Sequence, residues 1–129
     1  MITAIVAVGS NIEPEESVEK TIALLKRDFA FVYASDFIRT EPEGFKDQPD
    51  FLNGAICIRT TFNRQELEKY LKEAEVKLGR VKGPNKAGPR VIDLDLVIWD
   101  GAVVHDDYYS KDYTSIPVNQ LLRELNMTV

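Results

Sequence analysis

Apolar residues in this chain recur at two periods, and each change of period marks a new element. "ITAIVAV" (residues 2–8) is a continuous apolar run of strand length, closed by "GSN". Pro14 then opens a helix with Glu15 and Glu16 in its first turn, where the helix dipole favours acids. Val18, Ile22 and Leu25 follow at helical spacing. "AFVYASDFIRT" (30–40) is aromatic and β-branched, which predicts a second strand. "EPEGFKDQPD" (41–50) holds two prolines and a glycine, which predicts a loop. "FLNGAICIRT" (51–60) predicts the third strand. Asn63 and Glu66 form a capping-box pattern ahead of Leu67, Leu71, Ala74 and Leu78, the buried stripe of a second helix that Gly79 is placed to end. "GPRVIDLDLVIWD" (88–100) contains the fourth strand. Beyond Trp99 the pattern fades, and "GAVVHDDYYSKDYTSIPVNQLLREL" predicts a turn, an irregular stretch and a short closing helix.

The order βαββαβ predicts an α+β, ferredoxin-like sandwich, an antiparallel sheet with two helices on one face. The opposite face is then open to ligands or extra segments. On the third strand Leu52, Ile56 and Ile58 face the helices, and Phe51, Asn53, Ala55 and Cys57 share the open face. On the fourth, Ile92, Leu94, Leu96 and Ile98 face the helices, and Val91, Asp93, Asp95, Val97 and Trp99 face the other way. The 129 residues suit one domain with a single core, and no internal repeat or low-complexity segment is present.

Asp93 and Asp95 are the anomaly in this pattern. Aspartate is depleted in strands, and the pleat points both carboxylates the same way, about 6–7 Å apart at Cβ. Like charges at that distance need a cation between them. Residues 79–92, "GRVKGPNKAGPRVI", contain Arg80, Lys82, Lys86 and Arg90 and no acid, with three glycines and two prolines that make a loop. A basic loop running into an acidic pair suggests a polyphosphate, with magnesium bridging phosphate to carboxylate. Each signal alone has a plainer reading: an Asp-x-Asp pair is more often a solvated strand edge, and a basic loop is usually just solvated. "GSN" most often marks a turn before a helix cap. His105, the only histidine, reads as a surface residue, Phe51 as core and Cys57 as a small strand residue.

Bulk properties narrow the classes. With 44% hydrophobic and 29% charged residues the chain is of ordinary globular composition. The net charge of −5 argues against nonspecific binding to nucleic acid or an anionic membrane. One cysteine excludes an internal disulfide and a cysteine-based zinc site. "MITAIVAVG" is too short for a membrane span and lacks a charged leader region and cleavage site, so a cytoplasmic protein is expected. The Gly-x4-Gly-Lys-Ser/Thr pattern does not occur, which excludes a phosphate cradle of that type.

Four segments in order, "VAVGSNI", "IRTEPEGFKDQPDFLNGA", "EAEVKLGRVK" and "GPRVIDLDLVIW", resemble the 6-hydroxymethyl-7,8-dihydropterin pyrophosphokinases, enzymes of the folate pathway. The resemblance runs from about residue 4 to residue 99, and Gly-Pro-Arg-x-x-Asp-x-Asp is its most specific part. It implies a ferredoxin-like core and transfer of the terminal diphosphate of MgATP to the pterin hydroxymethyl oxygen, releasing AMP. It also implies that Asp93 and Asp95 hold two Mg²⁺ ions, and that Arg80 and Arg90 contact the phosphates and stabilise the charge that develops. Lys82 and Lys86 join them on the ATP side. Asn53 is implied to hydrogen-bond the pterin, Phe51 to stack on it, and Thr40, Pro42, Glu43 and Gly44 to form the pterin-side loop.

The chain departs from the family at several points. Ala87 stands where a tryptophan is usual, and Lys82 and Lys86 stand where arginines are common. The part after Trp99 is shorter than usual and lacks a clear Pro-His…Arg-x-Phe segment. With a deletion placed just upstream, His105 and Lys111 match its ATP-contacting histidine and arginine, and Tyr113 its pterin-stacking phenylalanine. The expected protein is therefore a monomeric Mg²⁺-dependent diphosphokinase that binds ATP and the pterin, and neither nucleic acid nor membrane. The rival is a noncatalytic pterin- or nucleotide-binding relative serving as a regulatory module. An RNA-binding βαββαβ domain is a distant third, because it needs a basic sheet face with exposed aromatics.

Overall fold

The computed structural model describes residues 1–79 and 90–129. In chain order the elements are β1 (Ile2–Ser10), α1 (Pro14–Asp28), β2 (Phe31–Ala34), β3 (Ile38–Thr40), β4 (Phe51–Thr60), α2 (Arg64–Lys77), β5 (Asp93–Trp99), β6 (Ala102–Val103), α3 (Asp107–Ser110) and α4 (Asp112–Glu124). The sheet runs β2-β4-β1-β5-β6, with β3 also on β4, and every pairing is antiparallel. This is the strand order of the ferredoxin-like plan expected from the sequence.

Local signals set the helix ends. Glu13 adopts a left-handed conformation that turns the chain into α1, and Pro14 fills the first helical position, where a missing N–H is harmless. At α2 the Glu66 N–H donates to Asn63 Oδ1 at 2.8 Å, and the Asn63 N–H donates back to Glu66 Oε1 at 2.9 Å. Gly79, at φ +102°, takes the backbone conformation that ends this helix.

Both faces of the sheet are used. Ala4, Val6 and Val8 of β1, Ile56 and Ile58 of β4, and Ile92, Leu94 and Leu96 at β5 pack on Val18 and Leu25 of α1 and Leu67, Leu71 and Ala74 of α2. On the opposite face Ile5, Ala55, Cys57, Val97 and Ile98 pack on Val118, Leu121 and Leu122 of α4. The helix α4 covers only one end of that face. The other end, over Ala7, Gly9, Asn53, Asp93 and Asp95, stays open.

Two strands depart from simple alternation. In the β1–β5 register Val6 pairs with Leu96 but Ile5 with Ile98, so Val97 is an extra residue. This bulge turns Ile98 under α4 beside Val97, instead of toward the α1–α2 layer as its position predicts. Trp99 is turned the other way, onto that layer. The expected second strand is two short ones, β2 and β3, because residues 35–37 oppose only Gly54 and Ala55 of β4. Ser35 secures the break, its Oγ accepting the Ala55 N–H and its N–H donating to Ala55 O. Phe37 folds over Gly54, where any Cβ would come within 2.6 Å of the ring.

Candidate active site

The open end of the face is a cavity of about 500 Å³ whose floor is the central strand. Ala7 lies between Ala55 and Asp95 in the register, and Gly9 between Asn53 and Asp93. Small residues on the middle strand and polar ones on its two neighbours leave room for a ligand and aim functional groups at it. A Cβ at Gly9 would sit 2.8 Å from Asn53 Oδ1, so this glycine is what lets the Asn53 amide lie flat over β1. Asn53 is buried and donates to Thr40 Oγ1 at 2.5 Å.

The aspartates form the other wall. Arg90 Nη1 donates to Asp93 Oδ2 at 3.2 Å, and Lys72 Nζ lies 3.4 Å from Asp95 Oδ1. Burial, then the neighbouring Asp93 charge, raises the Asp95 carboxyl above the ordinary aspartate range, although Lys72 and His105 pull it down. Burial works against the Lys72 ammonium, but Asp95 and Glu75 outweigh it and raise its pKa above that of a free lysine.

A third wall joins residues 41–50 to the start of α4. Lys111 Nζ meets Glu43 Oε2 at 2.9 Å, and the Tyr113 hydroxyl donates to the same oxygen at 3.3 Å. The hydrogen bond from Lys111 holds the Glu43 carboxyl below its ordinary pKa, and the same bond raises Lys111. Tyr113 is pushed up to about 12, first by burial and then by the Glu43 charge.

Ten of the residues singled out in the sequence line this one cavity: Thr40, Glu43, Gly44, Phe51, Asn53, Arg90, Asp93, Asp95, Lys111 and Tyr113. Pro42 does not; it is buried within the 41–50 segment, and its carbonyl accepts from Lys46. His105 lines a separate cleft of about 180 Å³ on the outer side of β5, together with Lys72 and Asp95. Its Nδ1 accepts the Asp107 N–H at 3.1 Å. Arg80, Lys82, Lys86 and Ala87 lie outside the described residues.

Sequence reasoning missed Lys72, Asn11, Asp107 and Thr114. Lys72 lies in α2 among several other charged residues, and nothing in its local sequence marks it. Asn11 belongs to the "GSN" that reads as a turn, and it is more than that. Its Oδ1 accepts the Arg90 N–H at 2.8 Å, and its Nδ2 donates to Gln48 Oε1 at 2.8 Å and Pro49 O at 3.0 Å. It thereby ties the residue that begins the aspartate wall to the segment that leads into β4. Asp107 and Thr114 complete the cavity from α3 and from the first turns of α4, where the pattern of the chain is weak.

The cavity is thus walled by paired acids on one strand and by a buried amide on another. The profile of the 7,8-dihydro-6-hydroxymethylpterin-pyrophosphokinase family matches residues 5–123. The chain belongs to this family. It is 30% identical over 133 residues to the 2-amino-4-hydroxy-6-hydroxymethyldihydropteridine pyrophosphokinase of Bacillus subtilis, covering 95% of this chain and 79% of that protein. The Haemophilus influenzae enzyme of the same name is 27% identical, covering 97% and 84% of the two chains. The enzyme of that name from Campylobacter jejuni is 35% identical over 108 residues, 81% of this chain and 68% of its own. Members of the family are pyrophosphokinases, and this chain is one by descent. Among the described residues no helix is long and apolar enough to cross a membrane.

Proposed function

We propose that this protein transfers the terminal diphosphate of ATP to the hydroxymethyl oxygen of 6-hydroxymethyl-7,8-dihydropterin. The oxygen bonds to the β-phosphorus and gives up its proton to solvent, the bond from that phosphorus to the α-phosphate bridge breaks, and AMP leaves. The observation that carries this reading is one cavity holding both Asp93 and Asp95 and the Asn53 amide, in a chain of this family.

Magnesium fits the residues present. Asp93 and Asp95 are hard oxygen donors side by side at one wall of the cavity, and their like charges favour a cation between them. Among the described residues no third acid, histidine or cysteine joins them to complete a cage. That is the habit of magnesium sites completed by phosphate oxygens and water. When bound, with two ions expected, the metal would draw charge from the phosphates and align them for displacement.

The chain's own groups do the rest. Asn53, steadied by Thr40, presents an amide to the hydrogen-bonding edge of the pterin, and Phe51 and Tyr113 offer ring faces to it. Gly44 and the backbone around Glu43 close that side. Arg90, held by its contact with Asp93, is proposed to meet phosphate oxygens as negative charge shifts onto the leaving AMP. Arg80, Lys82 and Lys86 are proposed to add cations from the adjoining segment, Lys111 to serve the phosphates from the cavity wall, and His105 to meet the nucleotide in the outer cleft. A cytoplasmic monomer is the setting proposed for this reaction.

The test is AMP release from MgATP with and without the hydroxymethyl pterin. Pterin-dependent AMP is expected, and Asp95→Ala should lower its rate about a thousandfold while circular dichroism shows an intact fold. Pterin binding without AMP release would favour the noncatalytic relative. Near-normal turnover in Asp95→Ala would remove the metal assignment.

A further inference from the structure

Lys72 is a lysine of α2 whose ammonium is drawn against the edge of β5. Its Nζ donates to Leu94 O at 3.0 Å and lies 3.2 Å from Glu75 Oε2 and 3.4 Å from Asp95 Oδ1. Glu75 is itself buried, 4% exposed, and Oε2 accepts the Leu94 N–H at 2.7 Å. The ammonium thus has a fixed seat on the edge of β5, with one contact that faces the cavity, the one to Asp95. Asp95 lines both the cavity and the outer cleft, and Lys72 lines the cleft.

We propose that Lys72 is a positioning residue that serves as placeholder cation for the aspartate pair, so that the site discriminates against a bare divalent ion and accepts one that arrives with nucleotide. The proposal rests on the reading of Asp93 and Asp95 as metal ligands. Free of ligand, the ammonium offsets the repulsion between the two carboxylates and holds Asp95 in place. A bare divalent ion beside Asp95 must either displace this charge or share the carboxylate with it, and both raise its free energy. A polyphosphate changes that balance, because its oxygens give the displaced ammonium new acceptors within reach of the side chain. Lysine suits the role: it is a compact charge on a flexible stem, able to swing between Asp95 and a phosphate while Glu75 stays on the backbone.

Binding of Mn²⁺, followed by the electron paramagnetic resonance of the free ion, tests this without turnover. Wild type, Lys72→Gln, Lys72→Arg and Asp95→Asn are compared, each with and without a nonhydrolysable ATP analogue. Glutamine can still donate to Leu94 O, so the edge of β5 is kept. Lys72→Gln should bind Mn²⁺ alone about tenfold more tightly than wild type, and its further gain on adding nucleotide should shrink by a similar factor. Lys72→Arg should behave as wild type, and Asp95→Asn should lose affinity. Equal or weaker Mn²⁺ binding by Lys72→Gln, with loss in Asp95→Asn, overturns the placeholder role and leaves the metal site standing. Unchanged Mn²⁺ binding in Asp95→Asn overturns the metal reading and the proposal together.

Discussion

Gly9 shows how much one residue decides. Alanine there is compatible with a strand but puts a methyl 2.8 Å from Asn53 Oδ1, so the amide must turn away. Loss of one well-aligned hydrogen bond to the pterin corresponds to about a tenfold rise in its KM, and Gly9→Ala should show this with a smaller change in the KM for MgATP. Steady-state kinetics with each substrate varied in turn would check it. The aspartate pair was legible because charge inside an apolar alternating run needs a cause. Asn53 and Phe51 were legible through a family motif. Lys72 and Asn11 were not, because each acts through a partner 20 or more residues away, and nothing in their own neighbourhood sets them apart.

Among the elements, α2 carries a cap that can be tested directly. Asn63→Ala removes the half of the capping box in which the Asn63 side chain accepts the Glu66 N–H, and should cost about 1 kcal/mol, which lowers Tm by about 3–5 °C in a chain of this size. Thermal melts followed by circular dichroism would show it, with activity at low temperature retained. The contact of residues 41–50 with α4 is pH-dependent. Glu43 has a lowered pKa, so the contact is present above the ordinary glutamate value and is lost as pH falls through the depressed one. Lys111 has a raised pKa, so its share is present below the ordinary lysine value and lost as pH rises through the elevated one. The side-chain carboxyl resonance of Glu43, followed by nuclear magnetic resonance, should titrate below the ordinary glutamate value in the wild type. In Lys111→Met that titration should move back toward the ordinary value.

Elements were read well from the sequence where a period persisted and poorly where pairing decided. The helices α1 and α2 and the strands β1 and β4 have long, unbroken patterns. The bulge at Val97 and the break at Ser35 depend on partner strands that local sequence does not contain. In α4 the buried positions Val118, Leu121 and Leu122 do keep helical spacing, but Pro117 inside the helix breaks the usual expectation of one.

For the molecule as a whole, the consequence of α4 is that the sheet is covered on both faces at one end and bears ligand at the other. The two apolar layers share every central strand, so they should unfold together. Leu121→Ala, at a fully buried position under α4, should cost about 2–5 kcal/mol. Urea titrations followed by Trp99 fluorescence, which reports the α1–α2 side, should shift by the same amount as those followed by circular dichroism. Separate midpoints for the two signals would show that the layers are independent.

The seat of Lys72 and Glu75 has one more consequence, for the life of this protein at high concentration. The strand β6 pairs with Ile98 and Trp99 and Val104 with Val97, so among the described residues no strand runs along the outer side of residues 93–96. A bare edge of this kind is a template on which a strand from another molecule can add, and repeated addition leads to fibrous aggregates. Here the Glu75 carboxylate takes the Leu94 N–H and the Lys72 ammonium takes the Leu94 carbonyl, which are the two groups an incoming strand would need. One turn of a helix thus stands in for a neighbouring strand and guards the edge with a pair of opposite charges.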